Sequence, residues 1–124
     1  MRKQDWPKRD HIKNYFPLPN EIYSLGLSPG AIAVYGFLLR RENRETYQCL
    51  VSYRTIGEAV GMSVNTVRKY VMEPEERGLI RTERTTITTK DGRRQNGCLL
   101  YTILPIQMAI DQFHERQVSE ADLA

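Results

Sequence analysis

The 124-residue sequence predicts one α+β domain, with a three-helix core, a small antiparallel sheet and a further helix at the C-terminus. Three observations predict this class. Apolar residues recur at helical spacing in several separate segments, short β-prone segments stand between them, and turns that contain glycine separate the elements. The hydrophobic content of 40% is ordinary for a folded domain and allows one modest core.

The first long helix is predicted from Pro29 to about Arg41, with Ser28 as its cap and proline in the first helical position. Its other sides are also largely apolar, but its main face is formed by Ile32, Tyr35, Leu38 and Leu39. A helix that is apolar on nearly all sides must be covered on nearly all sides. We therefore expect cover from the terminal segments or from a second subunit, and this helix is the main sequence argument for a homodimer.

The stretch from residue 53 to residue 80 predicts two short helices joined by a tight turn. Ile56, Ala59 and Val60 give the first helix an apolar face. The connection Gly61-Met62-Ser63 contains the glycine that such a turn needs. Ser63 can cap the second helix, and Gly78 can end it in the left-handed conformation.

The second helix of this pair is predicted to place valines inward and polar side chains outward. Val64, Val67 and Val71 stand at positions i, i+3 and i+7. The outward residues near its start are then Asn65, Thr66, Arg68 and Lys69. Amide, hydroxyl and cationic groups at the start of a protruding helix suit base edges and phosphates. Thr66 can instead serve the helix start, since it stands three residues after the cap.

Pro74 lies well inside the predicted second helix. It cannot donate a hydrogen bond to the Tyr70 carbonyl, and its ring crowds that carbonyl at a cost of ~3 kcal/mol in a regular helix. We expect a kink, or a break with Pro74 opening a separate last turn. Tyr70 can pack in the core or donate a hydrogen bond to a phosphate, and its position favours the core.

Two further sets of residues are candidate DNA contacts. Arg54 and Thr55 open the first helix of the pair, which in this arrangement crosses the DNA backbone. A strand is predicted over residues 79–89, a turn over 90–97 and a return strand over 98–104, after a short strand over 47–51. The tip of this hairpin carries Lys90, Arg93 and Arg94, which can enter a minor groove or contact phosphate.

The motifs Ile56–Ser63, Thr66–Arg68 and Glu75–Ile80 resemble those of winged helix-turn-helix regulators. GntR-type DNA-binding domains and the helix-turn-helix domains of plasmid and phage replication proteins are the most similar. The resemblance covers residues 52–104 and implies a winged helix-turn-helix fold that binds DNA. The GntR-type resemblance implies a bacterial or phage regulator that binds a palindromic site as a dimer. The lead-in over residues 16–31 is similar to the replication proteins.

The chain divides into three predicted parts: a flexible N-terminal arm over residues 1–14, the winged domain over 15–104, and a C-terminal helix and tail over 105–124. The apolar stripe of that helix is Ile106, Ala109, Ile110 and Phe113, and we expect the tail from Val118 to fray. We expect no separate ligand-binding domain after residue 104. Any effector response is therefore expected to work through a dimer interface, and the effector itself stays unknown.

Charge distribution is compatible with one phosphate-facing side. The net charge is only +3, but residues 1–14 and 52–104 are each basic by three charges, whereas residues 105–124 are acidic by three. The same pattern can also arise as chance clustering of solvated charge. The charged N-terminus does not predict a secretory signal, and no window is apolar enough for a membrane span, so we expect a cytoplasmic protein.

Enzymatic and metal-binding functions are disfavoured by the sequence. His11 and His114 are isolated, Cys49 and Cys98 stand at no metal-ligand spacing, and no phosphate-cradling glycine loop occurs. We therefore expect no catalytic residue, metal or cofactor. The leading prediction is a small transcriptional regulator that binds specific double-stranded DNA. The alternatives are an origin-binding module of a replication protein and a winged-helix adaptor that binds protein, although exposed cations at positions 68 and 69 argue against an adaptor.

Overall fold

The computed structural model describes residues 6–8 and 13–123. Its described helices are a short 3-10 helix, Asn20–Ser24, followed by α1 (Pro29–Arg41), α2 (Tyr53–Val60), α3 (Val64–Glu76) and α4 (Ile106–Leu123). Its described strands are β1 (Gln48–Val51), β2 (Ile80–Glu83), β3 (Thr86–Thr88), β4 (Arg94–Asn96) and β5 (Leu99–Ile103). Most of the predicted N-terminal arm lies outside the described residues, as does His11.

The strands form two antiparallel sheets. The main sheet has the order β1-β5-β2, and its central strand pairs Tyr101 with both Cys49 and Thr82. The second sheet is the hairpin β3-β4, which extends beyond the main sheet as a wing. Together with α1, α2 and α3 these sheets confirm the predicted winged helix-turn-helix fold, with α4 added at the C-terminus.

The wing differs in detail from the prediction. The strand expected over residues 79–89 is interrupted at Arg84 and Thr85, because β2 pairs with β5 whereas β3 pairs with β4. Thr85 holds this junction: its carbonyl accepts from the Gly97 N–H at 2.8 Å and its hydroxyl donates to the Cys98 carbonyl. The turn expected over residues 90–97 is shorter than predicted, because Arg94 already begins a strand.

Helix α1 begins as predicted, with the Ala31 N–H donating to the Ser28 hydroxyl. Its buried residues are Ala31, Val34, Tyr35, Leu38 and Leu39, whereas Ile32 and Phe37 are half-buried and Ala33 is exposed. Segments from both ends of the chain pack against the core that contains α1, through Leu18, Ile106 and Phe113 among others. Much of the expected cover is therefore supplied by this chain, and the homodimer stays a prediction.

The helix-turn-helix unit, residues 52–79, is anchored by Ile56, Val67 and Val71, all of which are buried. The sequence predicts that Val64 faces inward, but this residue is 41% exposed. Val64 is the first residue of α3 and lies next to the turn. Ala59 is also exposed, so the predicted inward face of α2 is wrong at that position. The buried side of α2 instead passes through Ile56 and the neighbouring Gly57.

Pro74 does not break α3, so the separate last turn, one of the two expected outcomes, is wrong, and a kink at Pro74 stays a prediction. The helix is continuous through Glu76, and Pro74 is fully buried in the core. The proline still removes the hydrogen bond to the Tyr70 carbonyl, and burial of its ring in the core offsets part of that cost. Gly78 then adopts the predicted left-handed conformation, with a φ of 75°.

Helix α4 packs its predicted stripe against the core and contacts the end of α3 through Gln112. Ala109 is buried and Phe113 is half-buried, and the Gln112 side-chain amide donates to the Glu76 carbonyl at 2.9 Å. The helix continues to Leu123, beyond the point at which the sequence predicts fraying. Across the described part of the chain, no helix combines the length and apolarity that a membrane crossing requires.

Candidate nucleic-acid interface

The N-terminal half of α3 presents polar side chains on a rigid support. Asn65, Arg68 and Lys69 are exposed, while Val67 between them is completely buried. The helix is thus fixed by its inner face and displays an amide, a guanidinium and an ammonium group on its outer face. Such groups can donate to base edges and to phosphate oxygens.

Arg68 is oriented by an aromatic ring from the other helix of the unit. Its guanidinium carbon lies 5.7 Å from the centroid of the Tyr53 ring, within the range of a cation–π contact. Tyr53 is the first residue of α2 and packs partly against the core. Sequence reasoning missed this support, because the contact joins residues on two helices and leaves no local spacing pattern.

Lys69 and Tyr70 form a second, similar contact. The Lys69 ammonium lies 5.4 Å from the centroid of the Tyr70 ring. The ring packs closely over α1, since a Cβ at Gly30 would lie 2.5 Å from one of its carbons. Tyr70 therefore packs mainly as a core residue, as its position favours, and connects the cationic face of α3 to the first helix.

The two candidate threonines both take part in helix capping. The Thr66 N–H donates to the Ser63 hydroxyl at 3.2 Å, and the two hydroxyl oxygens lie 2.9 Å apart. Thr55 repeats this arrangement with Ser52, at 3.1 Å and 3.0 Å. The structure confirms that Thr66 serves the helix start, and a DNA contact by either threonine remains a prediction.

Arg54 is engaged with an acidic neighbour on its own helix. Its Nε lies 3.2 Å from the Glu58 carboxylate, and both side chains are largely exposed. An exposed pair of this kind contributes little free energy and is screened by salt. A phosphate can therefore replace the carboxylate at small cost.

The cations predicted for the wing are exposed, but they do not all lie at its tip. The tip is closed by the Gly92 N–H donating to the Thr89 carbonyl at 2.9 Å, and it carries Lys90 and Arg93. Arg94 instead lies in β4, opposite Thr88. None of the three cations forms a salt bridge to a residue that the structure describes.

The cysteines and the acidic residues form no reactive cluster in the described ranges 6–8 and 13–123. No group of histidine, cysteine, aspartate and glutamate side chains there could hold a metal ion. Cys49 and Cys98 are free thiols. Burial raises the pKa of the Cys49 thiol to about 11, so this thiol stays protonated and unreactive at neutral pH.

Comparison with known proteins supports the fold. Residues 25–80, which contain α1, β1, α2 and α3, match a family model described as a helix-turn-helix domain. No curated protein matches the sequence. Among solved structures, the chain is similar to a possible transcriptional regulator from Methanosarcina mazei Go1, with 17% identity over 81% of this chain and 75% of that one and a TM-score of 0.53.

A second solved structure resembles the chain less closely. It is a cysteine-to-serine mutant of Lactococcus lactis ZitR in complex with DNA, with 17% identity over 85% of this chain and 64% of that one and a TM-score of 0.46. At 17% identity, the likeness to the first structure shows the fold alone. The GntR-type and replication-protein resemblances therefore stay predictions, whereas the helix-turn-helix domain is supported by sequence and fold together.

Proposed function

We propose that the protein binds specific double-stranded DNA as a small transcriptional regulator. The observation that carries this proposal is the outer face of α3, where Asn65, Arg68 and Lys69 are exposed beside a fully buried Val67. A helix that is anchored by its buried face and polar on its exposed face is suited to bind in the major groove. The match of residues 25–80 to a helix-turn-helix domain supports the same function.

Within this proposal, Arg68 and Asn65 contact bases. An arginine can donate two hydrogen bonds to guanine, and an asparagine can pair in the same way with adenine. The Tyr53 ring holds the guanidinium beside the helix and so reduces the conformational entropy that Arg68 loses on binding. Arg68 is therefore expected to contribute most to sequence preference.

The remaining predicted residues contact the DNA backbone. Lys69 and Thr66 lie beside the base-reading pair, and Arg54 and Thr55 lie at the start of the preceding helix. The cations of the wing then neutralise phosphates or enter the adjacent minor groove, through Lys90, Arg93 and Arg94. Backbone contacts of this kind position a protein on the duplex without selecting a sequence.

The test is selection of bound duplexes from a random pool, followed by affinity measurements across salt concentrations. A single enriched sequence and a steep loss of affinity with salt support the proposal. An enriched palindrome further supports binding as a homodimer, because operator symmetry mirrors protein symmetry. Binding without any sequence enrichment contradicts sequence-specific regulation.

An origin-binding role is the second candidate, and the similarity of residues 16–31 to replication proteins favours it. The DNA chemistry of α3 and the wing is the same in both roles. The two roles differ in the arrangement of the DNA sites. Directly repeated sites favour the origin-binding role. The adaptor role would be favoured instead if the protein bound no duplex at low salt, where phosphate contacts are strongest.

A further inference from the structure

A cavity of about 410 Å³ lies on the side of the domain formed by α1, the loop before β1, the end of β5 and the start of α4. Its volume falls within the range of small-molecule sites, which is ~300–1,000 Å³. Its lining includes Tyr35, Leu39, Glu42, Tyr47, Ile103 and Leu104. No residue of α2, α3 or the wing lines this cavity, so it is separate from the proposed DNA-binding face.

The lining of the cavity is mainly apolar and carries one formal charge. Among the described residues that line it, Glu42 is the one with a formal charge. Its side chain is only 6% exposed, and its Oε2 atom is buried without a hydrogen-bond partner among the described residues. A buried carboxylate oxygen without a donor costs free energy, so this atom is a strong acceptor that a ligand can satisfy.

The cation paired with this carboxylate does not satisfy it. The Arg44 guanidinium lies 3.6 Å from the other oxygen, Oε1, and its side chain is 56% exposed. That distance is too long for a hydrogen bond. Burial raises the pKa of the Glu42 carboxyl, as expected for a carboxyl that gains too little from its neighbours.

The loop between α1 and β1 places Glu42 and Tyr47 at the cavity, and Tyr47 adopts an unfavourable backbone conformation. Tyr47 has a φ of 59°, which is uncommon for an aromatic residue. Its N–H donates to the Asn43 carbonyl at 2.7 Å, and its carbonyl accepts from the Ile103 N–H at 2.8 Å. These bonds keep a second aromatic ring at the cavity beside Tyr35, and strain of this kind persists where the surroundings impose it.

We propose that this cavity binds a small organic cation, an ammonium group carried on an apolar body, with the ammonium donating to Glu42 and the body packing against the apolar lining. The ammonium supplies the missing donor to Oε2, and the tyrosine rings can face the positive charge. The site lies within one chain, whereas the sequence predicts that an effector response works through a dimer interface. Its existence does not depend on the proposed DNA-binding function.

The test uses benzylamine, which is protonated at neutral pH, and benzyl alcohol, its neutral counterpart of similar shape. Backbone amide resonances of the full chain are followed by NMR during titration with each compound. The expected result is saturable shifts for benzylamine at residues 42–47 and 103–104, with affinity for the alcohol lower by about tenfold or more. Hexylamine, which carries the same charge on an aliphatic body, is expected to bind at the same residues.

Two matched variants separate the buried carboxylate from general charge. Glu42→Gln is expected to reduce benzylamine affinity by about tenfold or more. Glu45→Gln changes an exposed glutamate in the same loop and is expected to leave affinity unchanged. Because Glu42→Gln removes a buried charge, its unliganded spectrum is expected to remain that of a folded protein.

Three results would overturn the proposal. They are equal affinity for the amine and the alcohol, unchanged amine affinity in Glu42→Gln, and the absence of saturable shifts with both amines. None of these results bears on DNA binding by α3, which the duplex selection tests separately.

Discussion

The helix-turn-helix unit and the wing are built in opposite ways. In the unit, Ile56 and Val67 are completely buried, and both helices begin with a serine cap. In the wing, every residue of β3 and β4 is exposed, including Ile87 at 54%. The wing is held by backbone pairing and by the junction at Thr85, whereas the unit is held by the core.

This difference predicts different roles on DNA. Hydrogen bonds to base edges require fixed donor positions, and buried anchors behind Asn65 and Arg68 fix them. Binding to phosphates depends more on charge than on exact placement. We therefore expect the unit to determine which sequence is bound, and the wing to add affinity for any sequence.

The largest expected effect is on stability. Ile56→Ala removes a completely buried side chain from the unit and should lower the free energy of unfolding by ~2–5 kcal/mol. Ile87→Ala makes the same chemical change in the wing and should change the free energy of unfolding by less than ~0.5 kcal/mol. Urea unfolding followed by circular dichroism measures both. A similar loss of unfolding free energy in the two variants would mean that Ile87 is packed in the core as Ile56 is.

A smaller effect is expected from the contact that joins α3 to the start of α1. The Glu73 carboxylate accepts from the Ser28 hydroxyl at 2.7 Å and from its N–H at 3.1 Å. Glu73→Ala should therefore cost ~1–3 kcal/mol of unfolding free energy, because it removes charge-assisted hydrogen bonds. Glu76→Ala, at an exposed position of the same helix, is the matched control. An equal loss of unfolding free energy in both variants would show that Glu73 does not anchor α3.

The serine cap of α3 is expected to contribute about 1 kcal/mol to the free energy of unfolding. Ser63→Ala removes the acceptor for the Thr66 N–H and should lower stability by that amount, while Ser63→Asp should retain most of it. Both changes are measured by urea unfolding. If Ser63→Ala also weakened DNA binding far more than it lowered stability, the serine itself would be a DNA contact.

The wing is expected to act mainly through the salt dependence of binding. Replacing Lys90, Arg93 and Arg94 by alanine should reduce the slope of log affinity against log salt by roughly one for each phosphate that the wing no longer neutralises. The enriched sequence should stay the same. An altered sequence preference in this variant would show that the wing reads bases and would end the division of roles.

Local signals in the sequence predict most of the fold. The serine caps, the glycine turn and the valine spacing predict α2 and α3, since each is a short-range pattern. The predictions for Val64 and Ala59 are wrong because spacing gives the direction of an apolar face but not the depth of burial at a helix end. Of the two outcomes predicted at Pro74, the break is wrong, since α3 continues through a proline that is buried in the core.

Tertiary features are beyond the reach of sequence patterns. Tyr53 supports Arg68 across a helix boundary, and the predicted strand is interrupted at Thr85 because its partner strand changes. The carboxylate of Glu42 stands in a charged turn, where the sequence gives no sign of burial. Each of these depends on which distant residues meet, and spacing along the chain does not encode that.

Sequence reading by α3 is tested most directly by the ratio of specific to non-specific affinity for wild type, Arg68→Ala and the triple wing variant. The enriched duplex and a scrambled duplex of equal length are measured at one salt concentration. We expect Arg68→Ala to lose ~1–3 kcal/mol on the enriched duplex and much less on the scrambled one, so that the ratio falls. The wing variant should lose affinity for both duplexes equally. An unchanged ratio in Arg68→Ala would contradict sequence reading by α3.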